Sequence, residues 1–270
     1  MRLYRWSERH TRVRHTNEGW HGWDEYAPFY DWENERTLGR LDVPFWRRLV
    51  AAVQGRVLEL GCGTGRVSLP LAGSGIELVG IDRSVPMLAR ALARRRRARP
   101  GSHLQLVRGD IRALPFEPAS FGAVIAPYGI LQSLLNDKDV VATLESTASI
   151  LAPRGLFGID LVPDVPRWRE YRNQVQLRGR KDHETYLTLI ESVHQDSRRR
   201  LTRFEQRYVE RRGRRSIEHR FELTFRTLSM RQLTGRLKRA GFTVEAILGD
   251  YSGRPWNPQS DAWIVVARRA

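Results

Sequence analysis

Apolar and polar positions along this chain switch between two periods, and the switches mark out its elements. Val57-Leu58-Glu59-Leu60 is an apolar run around one acid, the pattern of a buried strand, and it stops at Gly61-Cys62-Gly63-Thr64-Gly65. Val67, Leu69, Leu71 and Ala72 continue at helical spacing. Further strands are predicted over Glu77 to Asp82, His103 to Arg108, Phe121 to Ala126 and Gly155 to Asp160. Between them lie two helical patterns. Ser84 to Arg97 opens with Ser84 as cap and Pro86 in the first turn, and Val140 to Leu151 is closed by Pro153 and Gly155. Strands alternating with helices predict an α/β sheet.

After residue 160 that alternation ends. Tyr186 to Val193, Leu201 to Val209 and Ser216 to Leu228 read as strands joined by charged or glycine-containing turns, an antiparallel sheet inserted over the carboxyl edge of the main one. Alternation puts His219, Phe221, Leu223 and Phe225 on one face of the last strand. Ser229 to Ala240 is a helix capped by Ser229 with Gly241 beyond its end, and Phe242 to Leu248 and Trp263 to Ala267 are closing strands. Upstream, Glu33 to Val53 reads as a helix interrupted near Pro44. Before it comes an aromatic-rich stretch with Tyr4, Trp6, Trp20, Trp23, Tyr26, Phe29, Tyr30 and Trp32. Such rings bury area at low entropic cost and can face a cation, so this stretch is a candidate lid as well as a packing arm.

The glycine loop carries the chemistry. Glycine accepts positive φ and lets the main chain approach a ligand closely, and a helix following the loop presents its free N–H groups there. The spacing Gly61-x-Gly63-x-Gly65 departs from the G-x-G-x-x-G of dinucleotide sites, and Glu59 lies two residues before the first glycine. A carboxylate there suits a ligand bearing an ammonium group and repels a pyrophosphate. Asp82 ends the second strand where a ribose-binding acid belongs, and Gly109-Asp110-Ile111 ends the third.

Together these motifs resemble those of the class I S-adenosylmethionine (SAM)-dependent methyltransferases, closest in pattern to enzymes acting on the O or N atoms of small molecules. The resemblance covers almost the whole chain, including Ala240-Gly241-Phe242 and Gly249-Asp250-Tyr251. It implies a Rossmann-like seven-stranded sheet with an antiparallel last strand, plus the inserted antiparallel sheet. It implies four parts: an arm and lid over 1–55, a SAM-binding core over 56–160, the inserted sheet over 161–228, and a closing helix and hairpin over 229–270. By the same resemblance Gly61, Gly63 and Gly65 cradle the methionine moiety beside Glu59, Asp82 takes the ribose hydroxyls, and Asp110 takes the adenine amino group. Tyr26, Tyr30, Arg83, Met87, Ile111 and Ala126 complete the cofactor site. The block Tyr26-Ala27-Pro28-Phe29-Tyr30-Asp31 resembles the family's N-terminal lid element. Two features depart from the pattern: Gly122 stands where relatives commonly carry an acid, and Ser133 where related enzymes often carry a histidine. Tyr128, Gln132 and His219 are the candidates for orienting the acceptor, although a histidine on an apolar face is more often a hydrogen-bonded structural residue.

Composition adjusts this picture modestly. The 270 residues carry a net charge of +16, almost all of it arginine, with lysine only at 138, 181 and 238. Because the arginines are spread along the whole chain, a general arginine bias explains them as well as a polyanionic partner does. The run Arg94-Arg95-Arg96-Arg97 falls at a helix end, where cations favourably meet the macrodipole and water. Cys62 is the only cysteine, which excludes an internal disulfide and a zinc cluster, and no metal is expected. No apolar run is long enough to span a bilayer, and residues 1–15 lack the apolar region of a secretory signal, so a soluble cytoplasmic protein is expected. Three functional readings stand: methylation of a small molecule, methylation of RNA, and SAM binding without catalysis. The sequence leaves the oligomeric state and the acceptor open.

Overall fold

The structure is a computed structural model that describes residues 19–97, 103–163 and 170–270. Tyr4, Trp6 and the arginine-rich stretch 1–15 lie outside the described residues.

The main sheet has seven strands. β1 (Val57–Leu60) lies at its centre between β2 (Leu78–Asp82) and β4 (Phe121–Ala126), with β3 (Leu104–Arg108) beyond β2. β5 (Leu151–Leu161) extends β4 on the other side, and all these pairs are parallel. β11 (Trp263–Arg269) then inserts antiparallel between β5 and β10 (Phe242–Leu248). This is the Rossmann-like order the sequence implies.

Side-chain alternation divides the core between the two faces of that sheet. Leu58, Leu60, Val79, Ile81 and Val124 pack with α5 (Asp137–Ile150) and α6 (Met230–Arg239) on one side. Val57, Leu78, Ala123 and Ile125 pack with α2 (Val43–Ala51) and α3 (Ser68–Ala72) on the other. Gly122 belongs to this packing: a Cβ there would lie 1.9 Å from the Gln54 carbonyl oxygen, so no acid can stand at that position.

The inserted sheet has four antiparallel strands in order, β6 (Tyr171–Arg180), β7 (Thr185–Asp196), β8 (Leu201–Arg212) and β9 (Arg215–Arg226). The sequence pattern predicts the last three and misses β6. As an edge strand it is exposed along most of its length, so it offers no apolar alternation to read. The predicted helix over Glu33 to Val53 is two helices. α1 (Trp23–Asn34) takes in the aromatic lid with Pro28 inside it, and the chain turns through Gly39, at φ +61°, before α2. α1 packs its Tyr26, Phe29, Tyr30 and Trp32 against Leu187, Leu189, Tyr208 and Leu223 of the inserted sheet, forming a third core. The fourth helix, α4 (Val85–Arg97), is capped by Ser84 as predicted, with Ser84 Oγ accepting from the Met87 N–H at 3.3 Å. Among the described residues no helix is long and apolar enough to cross a membrane.

Candidate active site

The carboxyl ends of β1 to β4 open into a cavity of about 330 Å³ roofed by α1 and its approach. Gly61 and Gly63, at φ +63° and +52°, form its floor. The turn they make is locked to the next strand, because Asp82 Oδ2 accepts from the Gly63 N–H at 2.7 Å while Oδ1 accepts from the Ser84 N–H at 2.8 Å. Burial pushes the Asp82 carboxyl up from its ordinary value, and these backbone N–H groups oppose that rise. Asp110, at the next strand end, is gripped on both oxygens by Arg112 and approached by Arg83 at 3.2 Å, which holds its carboxyl below the usual range despite partial burial.

α1 is tied down over this edge by polar contacts as well as by packing. Asp31 accepts from Thr64 Oγ1 of the glycine loop at 2.6 Å and from Arg94 at 2.7 Å, and Asp24 accepts from Ser84 Oγ at 2.6 Å. Arg94 is therefore a fastener of the lid, whereas the sequence reading treats the whole arginine run as a solvated helix end.

A second cavity of about 660 Å³ lies between α1, the 3₁₀ turn Ile130–Ser133 and the inner face of the inserted sheet. Trp23, Tyr128, Gly129 and Phe225 line both cavities. Tyr128 holds this position with φ +59°, a left-handed conformation that a non-glycine residue adopts at some cost. Its turn is braced from below: buried Asp160 accepts from the Gly129 N–H at 2.8 Å and from the Tyr251 hydroxyl at 2.7 Å. Burial pushes the Asp160 carboxyl up to about 6. Beside the Tyr128 ring, 5.2 Å from its centroid, sits the Arg66 guanidinium, itself in a buried two-pronged pair with Asp42 at 2.5 and 2.7 Å.

Of the residues the sequence nominates for the cofactor, Tyr30, Gly61, Gly63, Asp82, Arg83, Met87, Asp110 and Ile111 line the first cavity. The others stand elsewhere. Glu59 is buried in β1, where its carboxyl oxygen accepts from Ser68 Oγ beneath the loop instead of facing the cavity, and burial pushes it up to about 8. Gly65 serves the turn into α3, against Leu69 and Ala91, and Ala126 is wholly enclosed in the core. Tyr26 lines the second cavity. Of the acceptor candidates only Tyr128 stands between the two cavities. Gln132 lines the second cavity, and there its amide clamps Val162, with Oε1 accepting from the Val162 N–H at 2.9 Å and Nε2 donating to the Val162 carbonyl at 3.1 Å. His219 packs on Phe29 at 5.0 Å between ring centroids and lines neither cavity. Cys62 is buried and free, and acts as a packing residue.

The sequence reading misses Glu33 in the second cavity, and Arg66 and Asp160 as supports of the Tyr128 turn. Glu33 lines the second cavity from α1, where it accepts from the Tyr208 hydroxyl, and burial raises its carboxyl above the ordinary value. Its clue was available in the lid itself, an acid at the end of an aromatic stretch.

Comparison with known proteins gives concordant results. A family described as "Methyltransferase domain" matches residues 57–155. The demethylmenaquinone methyltransferase of Paenarthrobacter aurescens is 30% identical over 185 residues, 63% of this chain and 69% of that protein. For other curated relatives the chain matches about half their length. Among solved structures, the CcbJ methyltransferase of Streptomyces caelestis superposes with a TM-score of 0.76 at 23% identity, over 92% of this chain and 97% of that one. CalS10, an amino pentose methyltransferase of Micromonospora echinaspora solved with SAM bound, gives 0.69 at 20% identity, over 90% and 97%. The glycine turn locked onto Asp82, the seven-stranded order and these likenesses agree, and the chain belongs to the class I SAM-dependent methyltransferases.

Proposed function

We propose that this protein transfers a methyl group from SAM, bound in the first cavity, to an O or N atom of a small molecule held in the second. The observation that carries this reading is the shared wall, since Tyr128, Gly129, Trp23 and Phe225 line both cavities and so mark where two ligands would meet. Gly61 and Gly63 would hold the amino-acid end of SAM, Asp82 the ribose, and Met87 and Ile111 the adenine. The residues present suit that cofactor, because a glycine floor leaves room for close backbone approach and Asp82 keeps lone pairs free for hydroxyl donors. When bound, SAM supplies an electrophilic methyl group on a positively charged sulfur. The protein's part is to seat the acceptor, exclude water and align the two, which can account for most of the acceleration.

In this reading the core strands carry the cofactor, while the inserted sheet and α1 choose the acceptor. RNA is a weaker candidate partner, because the arginines on the outer face of the inserted sheet have acidic neighbours: Arg203 lies 3.3 Å from Glu205, and Arg207 lies 3.4 Å from Glu218. Calorimetric titration with SAM, followed by an assay for S-adenosylhomocysteine (SAH) release over a panel of small acceptors and an RNA pool, tests the proposal. SAM binding with SAH release on a small acceptor supports it. SAM binding without any turnover favours a regulatory SAM-binding protein, and turnover on RNA alone overturns it.

A further inference from the structure

The second cavity is more selective than its size suggests. Its walls are largely apolar and aromatic, with Trp23, Tyr26, Tyr128, Phe204 and Phe225 around it, yet two acids, Glu33 and Glu191, stand in its lining. Each is held as a hydrogen-bond acceptor. Glu33 takes the Tyr208 hydroxyl, while Glu191 takes the Tyr171 hydroxyl and, at 2.9 Å, the Gln206 Nε2. That last bond fixes the Gln206 amide, leaving its Oε1 buried in the lining without a partner in a side chain only 5% exposed. Among the described residues lining the cavity the one cation is Arg226, whose Nη2 is bonded to Asp137 while its Nη1 is buried without a partner. Oxygen acceptors thus outnumber cations, and aromatic faces surround them. This combination favours a ligand that is positively charged and rich in N–H donors.

We infer that the acceptor is a protonated aliphatic amine on an apolar ring or chain, seated with its N–H groups toward Glu33 and Gln206 Oε1, and that Glu33 takes the proton its nitrogen must lose. This rests on the methyltransferase reading above. An ammonium nitrogen has no lone pair and cannot be alkylated. Transfer of one proton to Glu33 breaks an N–H bond, forms an O–H bond, and leaves neutral amine and neutral carboxylic acid, with the freed electron pair on nitrogen. Glu33 lines the same cavity as Tyr128, which also lines the first, so the proton acceptor faces the chamber that adjoins the cofactor cavity. The groups facing it are Tyr26 from its own helix, Tyr208 and Glu191 from the inserted sheet, and Tyr128 from the loop after β4.

Cyclohexylamine and cyclohexanol share one ring and differ in charge, which makes them suitable probes. Titrated calorimetrically into the protein saturated with SAH at neutral pH, cyclohexylamine should bind about tenfold tighter than cyclohexanol or better. In Glu33→Gln, which keeps an oxygen for Tyr208, that preference should vanish while SAM affinity stays within about twofold. SAH release with cyclohexylamine should fall about a hundredfold or more in this variant. Equal affinity for the two probes, or a preference for the alcohol, overturns the inference. A wild-type rate in Glu33→Gln, or an amine that binds and is never methylated, removes the proton-accepting role and leaves only the seating. Should Glu33→Gln fail to bind SAM through misfolding, Gln206→Leu carries the test, with amine affinity expected to fall about threefold or more and an unchanged value counting against it. Failure of the wild-type protein to bind SAM would instead sink the methyltransferase reading itself.

Discussion

The cofactor edge and the acceptor chamber are built in opposite ways. At the first, each key group belongs to a strand end or the turn just after it: Gly61 and Gly63 after β1, Asp82 closing β2, Asp110 after β3. At the second, the groups come from segments far apart in the chain, with Glu33 from α1 and Glu191, Gln206 and Phe225 from three strands of the inserted sheet. A site made of strand ends is held by the main sheet, whereas one made of facing side chains exists only once a second sheet and a helix have docked. The first can therefore serve one common cofactor while the second varies with the acceptor.

Arg66 joins the two regions, and breaking that joint should have the largest effect. Arg66 follows the glycine turn in the chain, and its guanidinium lies 5.2 Å from the Tyr128 ring centroid and pairs with Asp42, which is completely buried and also accepts from Trp46 Nε1 at 3.1 Å. Arg66→Met leaves Asp42 as a buried charge with one neutral donor. Unfolding in urea should show a loss of about 3–5 kcal/mol. A loss below about 1 kcal/mol would show that the two regions are held independently.

Asp160 braces the turn that the two cavities share, and it gives a pH signature. Its carboxyl is raised from 3.8 in the unfolded chain to about 6 by burial, so the folded state holds the proton more tightly. Its contribution to stability is full below about pH 4 and is lost as pH rises through about 6, a total of about 3 kcal/mol. Asp160→Asn keeps an acceptor for the Gly129 N–H, and subtracting its stability curve from that of wild type should isolate this slope. Parallel curves between pH 4 and 6 would place the carboxyl in contact with water.

These contrasts also explain what could be read from the chain. The core strands, the glycine turn and Asp82 follow from local pattern, since each rests on a few consecutive residues. β6 and the chamber do not. β6 is exposed on both faces and buries no stripe, and the pairing of Glu191 with Gln206 depends on a register between β7 and β8 that no single segment encodes. Position at the carboxyl edge points to Gln132, which does line the second cavity with its amide engaged by Val162, whereas strand alternation places His219 on an apolar face, where it packs on Phe29 and lines neither cavity.

On the cofactor side the contrast is sharpened by Asp82→Ala. The variant removes the acceptor for ribose hydroxyls and the bond that locks Gly63, and SAM affinity should fall by about 3 kcal/mol, roughly a hundredfold by calorimetry. Cyclohexylamine binding to the second cavity should change little. Equal losses at both sites would mean that the edge and the chamber are not separable.

The smallest effect on SAM affinity is expected at Glu59, where the motif and the structure disagree. The motif places a carboxylate beside the loop to meet the ligand's ammonium group, but in the fold the side chain turns under the loop to Ser68 and burial pushes it up to about 8. A group so placed is largely protonated at neutral pH and supports the turn by accepting one hydroxyl hydrogen bond. Glutamine retains that acceptor, so Glu59→Gln should leave SAM affinity within about twofold, less than about 0.5 kcal/mol. The same substitution should alter how stability depends on pH. The folded carboxyl is raised from 4.5, so wild type loses stability as pH rises from about 5 to 8, by up to about 1.4 kcal/mol per unit, and the glutamine variant does not. A variant that matches wild type in SAM binding and gains on it in stability with rising pH fits an acid that supports the loop from beneath. A tenfold or greater loss of affinity with no change in the pH curve would mean that the carboxylate turns upward to the ligand, and that the strand-end site reaches one residue deeper than the cavity lining indicates.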